Sequence, residues 1–105
     1  MSAAISFIRD NACRGISVRD VCRAVKMARR TCEARFLAAT GRTIHAEIAN
    51  ARFERVEQLL ASGQTAIGAI ANLCGWRSVA HLARAFRNRY GTTMSAYRRQ
   101  TGRMD

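Results

Sequence analysis

Residues 71–86 read ANLCGWRSVAHLARAF, and two apolar-periodic runs meet there at Gly75. Ile67, Ile70, Ala71 and Cys74 share one helical face before the glycine, and Leu82 and Phe86 lie one turn apart after it. Glycine tolerates the positive φ that a tight helix-to-helix turn requires. Trp76 and Leu82 can then pack back on the first helix of the pair, while Ala80, Ala83 and Ala85 keep the second helix slim.

The same spacing occurs earlier in the chain. Val18, Val21, Cys22, Val25 and Met27 match Ile67, Ile70, Ala71, Cys74 and Trp76 at one constant offset. Cys32, Phe36, Gly41 and Thr43 match Leu82, Phe86, Gly91 and Thr93 at an offset one larger, so the second copy has one extra residue in its turn. A short helix, a tight turn and a longer helix, twice over, is a duplicated helix-turn-helix.

Working outward, Ile5, Ile8 and Ala12 predict a first helix ending at Gly15. Ser17 and Asp20 resemble a capping box with Asp in place of Glu. Residues 43–62 form the longest helical stretch, capped by Thr43 and closed by Gly63, with a stripe through Ile48, Phe53, Val56 and Leu60. Such a helix is about 30 Å long, close to one turn of B-DNA. Thr93 caps a short last helix, and the tail TGRMD is expected to fray. The chain therefore reads as all-α, with seven helices. A first helix-turn-helix subdomain spans 1–42, a linker helix 43–62 and a second subdomain 63–105.

Composition points to the partner. There is no proline, half the residues are apolar, and 18 basic residues face seven acidic ones for a net charge of +11. A compact fold this cationic repels itself unless a polyanion is its usual partner. Double-stranded DNA fits best, with an anionic membrane surface as the rival; the inward-facing pattern of the helices argues against the membrane. All but one of the basic residues are arginine, which suits bidentate phosphate and guanine recognition, although a GC-rich genome also favours it. Cys13, Cys22, Cys32 and Cys74 form no C-x-x-C pair, and the last three stand where the helical pattern wants an apolar residue. Buried free thiols and the lack of a signal peptide or membrane span predict a cytoplasmic protein.

No catalytic set stands out. His45, Ala46 and Glu47 read like the opening of the zinc deaminase motif, but that chemistry also needs P-C-x-x-C, and the chain has neither proline nor C-x-x-C. No zinc-ligand spacing, Ser/His/Asp set or glycine-rich phosphate loop is recognisable, so the expectation is a non-enzyme without metal or cofactor.

The stretch AIGAIANLCGWRSVAHLARAFRNRYGTTMSAYRR resembles the second helix-turn-helix and closing helix of the AraC/XylS family of bacterial transcription regulators. The first half, FIRDNACRGISVRDVCRAVKMARRTCEARFLAATGRTIHAEI, looks most like the xylose-operon regulator branch. The resemblance covers nearly the whole chain. It implies sequence-specific DNA binding, contact with RNA polymerase, and a sugar-sensing domain ahead of this module, making these residues the C-terminal piece of a regulator or activator. Three positions depart from the pattern: Ala28 stands where the family usually has Ser, Lys26 where Gly is common, and Thr93-Met94 where Thr-Pro is usual.

With Cys32 and Phe36 inward, the first copy turns Arg29, Arg30, Glu33 and Ala34 outward. The resemblance puts Arg30, Glu33 and Ala34 at base-reading positions; Arg can fork onto guanine and Glu can accept from cytosine N4. Glu33 is equally read as a surface ion pair with Arg29 or Arg30. In the second copy Arg77, Val79, Ala80, His81 and Arg84 would line the groove, Val79 and Ala80 touching thymine methyls. His81 either donates to DNA or is a solvated or packed imidazole, and Ser78 caps the helix. Arg87, Arg89, Arg98 and Arg99 are candidate phosphate clamps or plain solvated charge. Arg52 is expected to snorkel or make a structural ion pair, and Trp76 and Tyr97 to be core. The rival function is a nonspecific cationic architectural DNA-binding protein, with steep salt dependence and no preferred sequence.

Overall fold

The computed structural model of the protein describes residues 1–101. All but the first residue of the tail expected to fray lies outside the described residues. Within them are seven α-helices: α1 Ser2–Asn11, α2 Val18–Ala24, α3 Arg29–Thr40, α4 Ile44–Ser62, α5 Ile67–Leu73, α6 Val79–Tyr90 and α7 Met94–Thr101. The first helix departs from expectation. It stops at Asn11, a 3₁₀ turn covers Ala12–Arg14, and Gly15 at φ 76° ends that turn. Ala4, not Ile5, takes the fully buried position one turn before Ile8.

The chain divides into two compact units, Met1–Arg52 and a second beginning at Phe53. The division falls inside α4, so each end of that helix contributes to a core of its own. In the first unit Ala4, Ile8, Ala12, Val21, Cys22, Cys32, Phe36, Ile44 and Ile48 form the cluster. In the second, the buried residues are Phe53, Val56, Leu60, Ile70, Ala71, Cys74, Leu82, Phe86 and Met94. The repeat is visible side chain by side chain: Val21 and Ile70, Cys22 and Ala71, Cys32 and Leu82, Phe36 and Phe86, and Ile44 and Met94 are buried pairs at matching positions. Different volumes at matching sites mean that each core is packed separately. Cys22, Cys32 and Cys74 are buried free thiols, as the apolar pattern implied. Burial and the neighbouring Cys22 push the Cys32 thiol up to about 11.

Each helix-turn-helix closes its first helix by a Schellman motif. In the first unit, Met27 N–H donates to Cys22 O at 3.1 Å and Lys26 N–H to Arg23 O at 3.1 Å. In the second, Trp76 N–H donates to Ala71 O at 2.9 Å. The motif needs a left-handed residue before the last donor. Gly75 supplies it at φ 86°, whereas the first unit places Lys26 there at φ 57°; it is the described non-glycine residue with positive φ. The second turn is one residue longer, since α2 and α3 are separated by residues 25–28 and α5 and α6 by residues 74–78.

Helix starts follow local chemistry. Ser17 Oγ accepts from Asp20 N–H while the Asp20 carboxylate accepts from Ser17 N–H at 2.8 Å, completing the capping box. The Ser17 backbone and hydroxyl hydrogen bonds hold Asp20 below the usual carboxylate range. Thr43 Oγ1 accepts from Ala46 N–H at 3.0 Å and Thr93 Oγ1 from Ala96 N–H at 3.1 Å. The two copies use serine in complementary places. Ser17 caps α2 where Ala66 stands before α5, and Ser78 caps α6 where Ala28 stands before α3; neither alanine offers a side-chain cap.

One arginine ties each unit together. Arg52 donates from Nε to Ala12 O at 2.7 Å and from Nη2 to Ile16 O at 3.1 Å. Arg98 donates from Nε to Leu60 O at 3.1 Å and from Nη2 to Leu59 O at 3.0 Å and Thr65 O at 2.6 Å. Both reach carbonyls near the end of the helical segment ahead of their unit's helix-turn-helix and in the loop after it, where carbonyls lack intrahelical partners and a cation is favoured. Arg52 thus has a structural role, but through carbonyls and not through an ion pair. Arg98, expected as a phosphate clamp or a solvated charge, commits its guanidinium to the protein's own backbone.

Candidate nucleic-acid interface

The slim second helix of each copy presents the polar face that the spacing foretold. On α3, Cys32 and Phe36 are fully buried, and Arg29, Arg30, Glu33 and Ala34 are all exposed. Arg29 Nε donates to Glu33 Oε2 at 3.1 Å, so of the partners considered for Glu33 the pair is with Arg29. Both side chains are about half exposed, and an ion pair in water of that kind stabilises by at most about 1 kcal/mol. Another hydrogen-bonding group can displace it at little cost, which leaves the Glu33 carboxylate able to accept and the Arg30 guanidinium able to donate.

Residues beyond those anticipated belong to the same surface. A groove of about 510 Å³ is walled on one side by Arg30, Glu33, Ala34 and Leu37 and on the other by Thr43, Ile44 and His45. Leu37 was visible in principle, because positions 30, 33, 34 and 37 form a single helical stripe. His45 was not, because it enters the groove from the next helix.

On α6, Leu82 and Phe86 are fully buried. Ser78 Oγ caps the helix by accepting from His81 N–H at 3.1 Å. Arg77, Ser78, Val79, Ala80, His81, Arg84 and Arg87 are exposed, with Arg77 in the turn just before the cap. The His81 ring lies 5.7 Å from that of Trp76, so it is both solvent-accessible and lodged on an aromatic neighbour. From residue 77 to residue 90 there is no acidic side chain. The α6 face thus carries no carboxylate, whereas the α3 face carries one.

The remaining candidates separate by contact. Arg87 and Arg99 are exposed. Arg89 lies over the Phe53 ring at 4.6 Å, within an aromatic cluster where Phe53 meets Trp76 at 4.9 Å and Phe86 stacks on Tyr90 at 4.2 Å. Tyr97 packs edge-on against Phe86 at 5.5 Å, and both Trp76 and Tyr97 are half-buried. The Tyr90 hydroxyl donates to the Glu57 carboxylate. Burial first, and Glu57 second, raise the Tyr90 phenol above its ordinary range. Among the described residues, no group of three or more His, Cys, Asp or Glu side chains could hold a metal ion, and no helix is long and apolar enough to cross a membrane.

Comparison with known proteins agrees with this geometry. Residues 21–100 match a family model described as a helix-turn-helix domain. The chain is 38% identical over 95 residues to the xylose operon regulatory protein of Escherichia coli (strain K12), covering 90% of this chain and 24% of that protein. Among solved structures, it is similar to a xylose-binding transcription activator, xylR, with TM-score 0.84 and 37% identity over 93% of this chain and 26% of the other. It is also similar to a transcriptional regulator with an AraC-type DNA-binding domain from Chromobacterium violaceum, with TM-score 0.87 and 26% identity over 99% of this chain and 93% of that one. The chain spans about a quarter of the length of the xylose regulators it matches. Two helix-turn-helix units built on one duplicated spacing, together with a family match over most of the residues, mean that the chain belongs to the AraC-type helix-turn-helix domain family.

Proposed function

We propose that residues 1–105 bind double-stranded DNA in a sequence-specific manner and serve transcription regulation. The observation that carries this reading is the pair of helices α3 and α6, each buried on one face and exposing arginine with small or apolar side chains on the other. Arg30, Glu33 and Ala34 read bases from α3, with Arg29 beside them. Val79, Ala80, His81 and Arg84 read from α6, with Arg77 and Ser78 at its start. Arg87 and Arg99 contribute phosphate contacts, which position the protein without specifying sequence. The two helices enter successive major grooves, with subdomains 1–42 and 63–105 flanking helix 43–62. The wider protein is a cytoplasmic sugar-responsive transcription regulator. Its effector binds a domain outside these residues, and it contacts RNA polymerase. The names of the xylose regulators support the sugar class.

The test is selection of bound sequences from a random DNA pool, followed by footprinting. Protection over about two helical turns is expected. Arg30→Ala and Arg84→Ala each relax preference at separate positions, by about 1–3 kcal/mol per lost guanine contact. No enrichment of any sequence, with binding that unrelated DNA competes away at fixed salt, establishes a nonspecific architectural protein instead.

A further inference from the structure

The α3 stripe of residues 30, 33, 34 and 37 ends in Leu37, which is 49% exposed. A large aliphatic side chain so open to water at the end of a polar stripe is left uncovered by its own unit. Leu37 shares a wall of the 510 Å³ groove with Arg30, Glu33 and Ala34, and Ile44 lies opposite. Fifty residues on, the same place on α6 holds Arg87, also exposed. The two copies therefore differ in kind at the end of the stripe: a cation in the second, a branched hydrocarbon in the first.

Resting on the reading of α3 as a base-reading helix, we propose that Leu37 is a specificity-determining residue that packs on the 5-methyl group of a thymine in the DNA segment contacted by the first unit. In the major groove the 5-methyl is the apolar group a base pair presents, and it marks thymine against the other three bases. Leu37 has no hydrogen-bonding atom, so it cannot read a base edge by donor or acceptor. It gains only where a hydrocarbon is offered. Its position one turn past Glu33 and Ala34 places the methyl contact next to the polar contacts of the same stripe. Arg87 at the matching position supplies charge that any phosphate satisfies. At this one position unit one trades affinity for discrimination, and unit two does the reverse.

The experiment uses the 105-residue chain and the sites it selects from a random DNA pool. Thymines in the half contacted by α3 are replaced one at a time by deoxyuridine, which lacks the methyl. Binding is measured by fluorescence anisotropy for the parent, Leu37→Ala and Leu37→Arg. One position should weaken the parent about fourfold, the expected worth of a single buried methyl. Leu37→Ala should bind thymine and uracil at that position equally. Leu37→Arg should also lose the discrimination while steepening the salt dependence by roughly 0.9 in log–log slope, as one added phosphate contact does. Because Leu37 is exposed, neither change threatens folding, and circular dichroism verifies this. Selected sites without thymine in that half, no uracil effect in the parent, or an undiminished effect in Leu37→Ala each overturn the proposal. In all three cases a persisting sequence preference that Arg30→Ala relaxes leaves the reading of α3 standing. Loss of all sequence preference removes that reading itself.

Discussion

Lys26→Gly should stabilise the first unit, and the size of the gain follows from the turn. Lys26 occupies the left-handed position of the Schellman motif that closes α2, at φ 57°. Its side chain is exposed, and among the described residues none holds it by a side-chain hydrogen bond or ion pair. A side chain beyond glycine costs about 1–2 kcal/mol in that conformation. Glycine returns roughly 0.4–1 kcal/mol of that through the greater freedom of its unfolded chain. The net gain is about 0.5–1 kcal/mol, or roughly 2–6 °C in melting temperature for a domain of this size. Thermal and urea unfolding followed by circular dichroism measure it. Removing a positive charge from a +11 chain also relieves repulsion, so Lys26→Ala is the control: it removes the charge and keeps the backbone cost. The expected order of stability is Gly above Asn above Ala, because Asn tolerates the left-handed region better than Ala does. The reciprocal change Gly75→Lys in the second unit should lose about as much as Lys26→Gly gains. A melting temperature for Lys26→Gly equal to that of Lys26→Ala would refute the reasoning, since the gain would then come from charge and not from the turn.

Two further outcomes follow from the caps and the aromatic cluster. Ala28 precedes α3 with extended backbone, φ −62° and ψ 145°, and no side-chain cap. Ala28→Ser should add about 1 kcal/mol and Ser78→Ala should remove about as much from α6; denaturation midpoints moving the same way in both variants would show that capping is not the cause. Tyr90 has its phenol raised in the folded state by burial and by Glu57. Its contribution is therefore complete below the unfolded tyrosine value of about 10 and is lost as pH rises beyond it. Stability should fall through that range, and Tyr90→Phe should flatten the fall. Cys32, pushed up to about 11, titrates with the same sign, so the difference between parent and Tyr90→Phe is the quantity to measure. Equal slopes in the two proteins would remove Glu57 and Tyr90 as its origin.

Much of the architecture was legible without coordinates because it is written at short range. Ser17 with Asp20, Thr43 and Thr93 announce helix starts through atoms three residues away. Gly41 and Gly91 stop α3 and α6 by left-handed φ of 77° and 74°. The duplicated spacing placed Cys32, Phe36, Leu82 and Phe86 inward, and thereby the exposed faces opposite them. The end of α1 differs from the sequence expectation because Gly15 reads as a helix cap whether the turn before it is α or 3₁₀.

The sequence by itself determined the helical class, the two copies and the outward positions of Arg30, Glu33, Ala34 and Arg84, because period and repeat are properties of neighbours along the chain. Only the tertiary structure decided which arginines remain outside and what else joins the exposed face of α3. Arg98 turns inward to carbonyls 33 to 39 residues away, and Arg52 to carbonyls 36 and 40 residues away. His45 and Leu37 line one groove that exists only once α3 and α4 are packed. A guanidinium turns inward only where clustered carbonyls offset the cost of burying its charge, and that is set by where distant segments come to lie, which no local pattern of residues encodes.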